Sequence, residues 1–113
     1  MSKVGNVNAE DFVLCGANSY EEKYYLNPVL EKLPERVKQE LKIMCVLFVH
    51  EFGGILTLRY DDEDGLLFDV SAPEDDFLYD EIGSRLKIKE FQRDKKELLE
   101  ALFVYCRLIL KGE

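Results

Sequence analysis

The sequence has no tryptophan, one histidine, three prolines and three cysteines, and each scarcity closes off a class of chemistry. With His50 as the lone imidazole, no multi-histidine metal site can form, and any Ser–His or Cys–His relay has a single base available. Cys15, Cys45 and Cys106 are odd in number, far apart and without a C-x-x-C pair, which argues against a disulfide framework or a thiolate zinc site. They read as small apolar residues kept reduced in a cytosolic protein. Long hydrophobic runs are missing as well. The longest, 43–49 and 101–106, fall well short of the ~20 apolar residues a membrane-spanning helix needs. The opening MSKVGNVNAEDF lacks an apolar core segment and a small-residue cleavage site, so no secretory leader is expected. The expected location is the cytoplasm. No dinucleotide-binding or P-loop glycine pattern occurs, and no cofactor is expected.

What is present suits one globular domain spanning 1–113, with the polar residues 1–11 expected to be flexible. The chain has 113 residues, 34% charged and 47% hydrophobic, near the ~150 residues of a typical domain. Phe12–Cys15 is a short apolar run that reads as a buried strand. Ser19-Tyr-Glu-Glu22 matches a capping box, predicting a short helix that ends near Asn27-Pro28 and gathers Tyr20, Tyr24 and Tyr25 on one face. Pro34 suits the start of the clearest helix, whose Val37, Leu41, Met44, Cys45, Phe48 and Phe52 recur at spacings of three and four. Ile43, Val46, Leu47 and Val49 widen that face, so the second half is expected to be buried on most sides. Gly53-Gly54 supplies the stop.

A hairpin follows, 55–60 returning as 66–71 around the polar turn 61–65. Leu56, Leu58 and Tyr60 share one face, as do Leu66, Phe68 and Val70. Ser71-Ala-Pro-Glu74 predicts another helix start, with Phe77, Leu78, Ile82 and Leu86 facing inward until Gly83-Ser84 breaks it. Lys87-Ile-Lys89 alternates like a strand edge. Asp94 and Glu97 open the last helix, whose stripe is Leu98, Leu102, Tyr105, Cys106 and Ile109, running to Gly112. The expected class is α+β: a small antiparallel sheet, hairpin 55–60/66–71 with 12–15 as a third strand, packed against four or so helices.

Charge is segregated. The net charge is −8, with a sequence pI near 4.7. Residues 61–81 hold ten acids and no base, so the rest of the chain is net +2. Asp61, Asp62, Asp64, Glu74, Asp75 and Asp76 are candidates for an interaction surface, with Arg85, Lys87 and Lys89 from the basic stretch that follows. A calcium loop fails on spacing: with Gly65 at position six, Tyr60 and Ser71 fall where carboxylates are required. Turn formation and helix-dipole complementation explain many of the same acids. A looser hard-cation site stays open. Six bases in 82–97 on so acidic a chain make nucleic acid an unfavoured partner. His50 lies where it complements the negative end of a helix.

The segments VLCGANSYEEKYYLN (13–27), EFGGILTLRY (51–60) and FLYDEIGS (77–84) resemble an uncharacterised family of short cytosolic proteins from clostridial-type anaerobic bacteria, a domain of unknown function. That resemblance implies a bacterial stand-alone domain and transfers no site residues. The residues themselves point first to a non-enzymatic interaction or regulatory module, binding another protein or a second copy of itself. The alternatives are a small-molecule or divalent-metal protein, or a minor enzyme, using carboxylates of 61–81; and weak nucleic-acid contact through 85–96.

Overall fold

Strict alternation makes Ile55–Asp61 the best-specified strand of the fold (β3). Leu56, Leu58 and Tyr60 are fully buried, while Ile55, Thr57 and Arg59 point to the other face and stay partly exposed. In a computed structural model, residues 12–111 are described; the expectations for 1–11 and for Gly112 lie outside the described residues. β3 pairs on one side with β1 (Phe12–Asn18) and on the other with β4 (Gly65–Ser71); β1 pairs in turn with β2 (Lys23–Leu26). The sheet is antiparallel throughout, in the order β2-β1-β3-β4. The third strand therefore exists as expected, runs three residues further, and is internal.

Three helices pack on the sheet: α1 (Glu35–Phe52), α2 (Glu81–Asp94) and α3 (Lys96–Lys111). The class is α+β, as the sequence predicts. α1 lies across β1, β2 and β3, and its buried Leu41, Met44, Cys45, Phe48, Val49 and Phe52 are the residues that the spacing picked out. An aromatic chain extends this core sideways. Phe48 meets Phe52 at 5.0 Å and Phe91 of α2 at 6.0 Å, and Phe91 meets Phe68 of β4 at 5.9 Å. Phe103 of α3 stacks on Tyr60 at 5.6 Å. Offset or tilted ring pairs at these distances add to burial.

Several local expectations are overturned. No helix forms at 19–26. The Asn18 side chain accepts hydrogen bonds from the backbone N–H groups of Tyr20 (2.8 Å) and Glu21 (3.1 Å), closing a tight turn instead of a helical one. β2 follows, so Tyr24 and Tyr25 point to opposite faces. Asn27 ends it, donating to Val13 O and accepting from Val29 N at the head of a one-turn 3-10 segment, Pro28–Leu30.

Residues 72–80 are a loop, not a helix. Asp76 captures the Leu78 N–H at 3.0 Å, an Asx turn that competes with helix formation. The helix starts only at Glu81, capped by Asp80, whose carboxylate accepts from Gly83 N–H at 2.8 Å. Gly83-Ser84 thus sit in the first turn rather than at a break, and Lys87-Ile-Lys89 is helical. Asp94 closes α2 and pairs with Arg93 instead of opening α3.

Outward faces differ too. Ile43, Val46, Leu47 and Ile109 are exposed, because α1 and α3 each cover the sheet with one side only. At the α1 stop, Gly53 has φ 82 and Gly54 φ 79; a Cβ on Gly54 would stand 2.9 Å from Ser71 O, so the position requires glycine twice over.

Burial separates two leucines of identical chemistry. Leu58→Ala should lower unfolding free energy by about 2–5 kcal/mol, whereas Leu47→Ala should stay within about 0.5 kcal/mol. Urea titration of the two variants checks this; equal losses would contradict the assigned faces.

Candidate functional site

Three of the ten acids of 61–81, Asp61, Asp76 and Asp80, accept from backbone N–H groups, and that sorts the candidates. Asp61 ends β3, and its Oδ1 accepts from the N–H groups of Glu63 (2.7 Å) and Asp64 (3.0 Å), so it builds the hairpin turn that Gly65, at φ 84, completes. Those two bonds hold its carboxyl below the usual carboxylate range. Asp62 and Asp64 stand exposed at the turn, and Glu74 and Asp75 are exposed on the 72–80 loop. Asp69 pairs across the strands with Arg59.

Asp76 is the hub of the loop. Besides holding Leu78, it accepts a hydrogen bond from the Tyr20 hydroxyl, which ties the loop to the β1–β2 turn. That carboxylate raises the Tyr20 phenol above its ordinary value. Asp80 adds a second tether, its N–H donating to Phe52 O at the end of α1 (3.2 Å). The Tyr79 hydroxyl reaches Ser84 Oγ at 2.8 Å, and Ser84 donates to Glu81 O. The loop is therefore fixed at both ends and in its middle.

On this anchored loop and the start of α2 stand the residues that sequence reasoning misplaced. Phe77 is 90% exposed, Leu78 94%, Ile82 74% and Leu86 62%. Their helical spacing suggested an inward stripe. The contrary signal was local: Pro73 and the acids Glu74, Asp75, Asp76, Asp80 and Glu81 crowd the same stretch, where a buried helix would have to desolvate them. The sequence places Tyr20 on a tyrosine face and gives no sign of its bond to a residue 56 positions away.

The basic candidates do not meet the acidic loop as a single strip. Arg85 pairs with Glu81 (2.7 Å) and Lys87 with Glu90 (2.7 Å), both within α2. Lys87 also lies over the Phe91 ring. Lys89 is exposed and has no partner among the described residues. Arg93 and Lys95 pair with Asp94 and Glu40. Few bases in 85–96 are thus left to meet phosphates.

Among the described residues, no three His, Cys, Asp or Glu side chains gather closely enough to hold a metal ion. His50 lines a cavity of about 650 Å³ with Lys23, Lys42 and Glu22, and no described residue bonds to it. The Cys15 and Cys45 sulfurs approach to 3.9 Å between β1 and α1, both buried. The hydrogen bond and burial push Cys45 up, and burial pushes Cys106 up to about 11, the opposite of an activated thiolate. No described helix is long and apolar enough to cross a membrane.

A family model described as a family of unknown function (DUF6145) matches residues 11–113. The chain belongs to that family. No curated protein and no solved structure matches it. Membership in DUF6145 therefore brings no activity and no site residues, and function rests on the geometry of this chain.

The Asp61 turn makes a pH prediction. Folding lowers this carboxyl's pKa, so its stabilisation is complete above the ordinary value near pH 4 and is lost as pH falls through the folded value. Asp94, held low by Arg93, acts with the same sign. Asp61→Asn keeps the acceptor oxygen and removes the titration, so its Tm should fall less between pH 6 and pH 3 than that of the unmodified chain. Parallel curves would contradict the role given to the carboxylate.

Proposed function

We propose that the protein is a non-enzymatic interaction module of the bacterial cytosol, working through the 72–86 surface, with the acidic 61–64 turn at the opposite end of β4. The observation that carries this reading is the exposure of Phe77, Leu78, Ile82 and Leu86 on an anchored segment. Leaving such side chains in water forgoes about 1.5–3 kcal/mol of burial each. Large apolar side chains exposed together on one segment among polar neighbours are characteristic of contact surfaces. Glu74, Asp75, Asp80 and Glu81 supply the polar neighbours here. Because Asp76 and Asp80 already hold the loop, a partner meets a surface whose ordering cost is largely met before binding.

A second reading is self-association. Ile43 and Leu47, one helical turn apart on α1, are both more than half exposed. They offer a helix face to a second copy.

Photo-crosslinking residues placed at positions 77 and 47 in bacterial cells separate the two. Position 77 should give one discrete adduct, identified by mass spectrometry as a single other protein and lost when Leu78→Asp is added. An adduct of twice the chain mass from position 47 would support self-association instead. No adduct from either position would overturn both readings.

A further inference from the structure

We infer that β4 is a strand-addition site for an extended, basic segment of a partner protein, with Lys or Arg at both ends and apolar residues at alternate positions. The site adjoins the interaction surface proposed above and presupposes it. β4 is the last strand of the sheet, and β3 is its only pairing partner among the described residues. Its outward backbone N–H and C=O groups are therefore open to another strand.

Its core face is also incompletely covered. Leu66, Phe68 and Val70 are only half-buried, whereas the residues opposite them on β3, Tyr60, Leu58 and Leu56, are fully buried. The uncovered space forms two cavities along the strand, both bordered by Phe68. One, of about 490 Å³, lies against Leu99 and Phe103 of α3. The other, of about 690 Å³, lies against Phe77, Tyr79 and Ile88. An added strand would take its hydrogen bonds from the edge, while every second side chain entered this space. It is mainly apolar beside Leu99 and Phe103 and mixed in character beside Phe77 and Tyr79, where Glu74, Glu81 and Arg85 also line it.

Charge selects the occupant. Asp62, Glu63 and Asp64 immediately precede β4, and Glu74 and Asp75 closely follow it. A second copy pairing antiparallel about Phe68 would set the 62–64 acids of each chain beside the 74–75 acids of the other, a like-charge arrangement that disfavours pairing. A segment basic at both ends meets acid at both ends. The same carboxylates that deter self-pairing thus select a basic partner.

The test is an NMR titration of the full chain with the synthetic peptide Lys-Lys-Val-Thr-Val-Thr-Val-Lys-Lys. Saturable shifts in 65–71 and intermolecular cross-strand contacts to β4 are expected. They should vanish when glutamate replaces the lysines, or when alternate peptide nitrogens on the pairing edge are methylated. Glu63→Lys with Glu74→Lys should weaken binding by up to about fivefold per charge. Shifts confined to 77–86, with no cross-strand contacts, would overturn strand addition and leave the surface reading standing. No binding at millimolar peptide would overturn strand addition as well, whereas the surface reading fails only if position 77 yields no adduct. Cross-strand contacts in the free protein between β4 and residues 1–11, or a second copy, would also overturn the proposal.

Discussion

The seating of α1 over β1 and β3 is the contact on which the rest of the fold depends. Phe48 lies 1% exposed at its centre, with Leu41, Cys45, Leu56, Leu58 and Cys15 fully buried in the same core. One helix of this width can cover two or three strands and no more. β4 therefore falls outside its shadow, and its cover comes from Phe91 and its neighbours on α2 and from α3. The half-covered strand and the cavities beside it are consequences of where α1 sits.

The acids divide between structure and display for a related reason. A chain leaving β4 must turn back towards the end of α1 before α2 can begin, and Asp76 and Asp80 supply the bonds that steer it there. Tyr20 completes the tether from the β1–β2 turn. Once those carboxylates are committed, the loop carries Phe77 and Leu78 outward into solvent. Glu63, Asp64, Glu74 and Asp75 are left as display. The net charge of the molecule thus concentrates at the two ends of one edge strand.

Much of the fold was legible in the sequence where local and long-range preferences agree. The alternation of 55–60 and 66–70, the periodicity of 37–52 and the Gly53-Gly54 stop all describe elements whose pattern is the same whatever packs on them. β2 was not legible, because Ser19 and Glu22 match a helix cap while Asn18, one residue earlier, competes for the same backbone N–H groups. The loop 72–80 failed similarly, with an Asx turn at Asp76 defeating an apparent helical stripe. Of the candidate surface, the location of the charge was readable. The division of labour among the acids was not, since it depends on Tyr20 and on Phe52 O, both remote in sequence. The exposure of Phe77 and Leu78 is likewise a property of packing, which composition does not carry.

The claim that α1 protects β1 and β3 while leaving β4 an open edge is tested most directly by residue-resolved amide hydrogen exchange on the free protein. Amides paired between β1 and β3 should exchange most slowly, the outward amides of β4 far faster, and those of 72–80 that lack a hydrogen bond fastest. Outward β4 amides protected as strongly as those of β3 would show a covered edge and contradict the account.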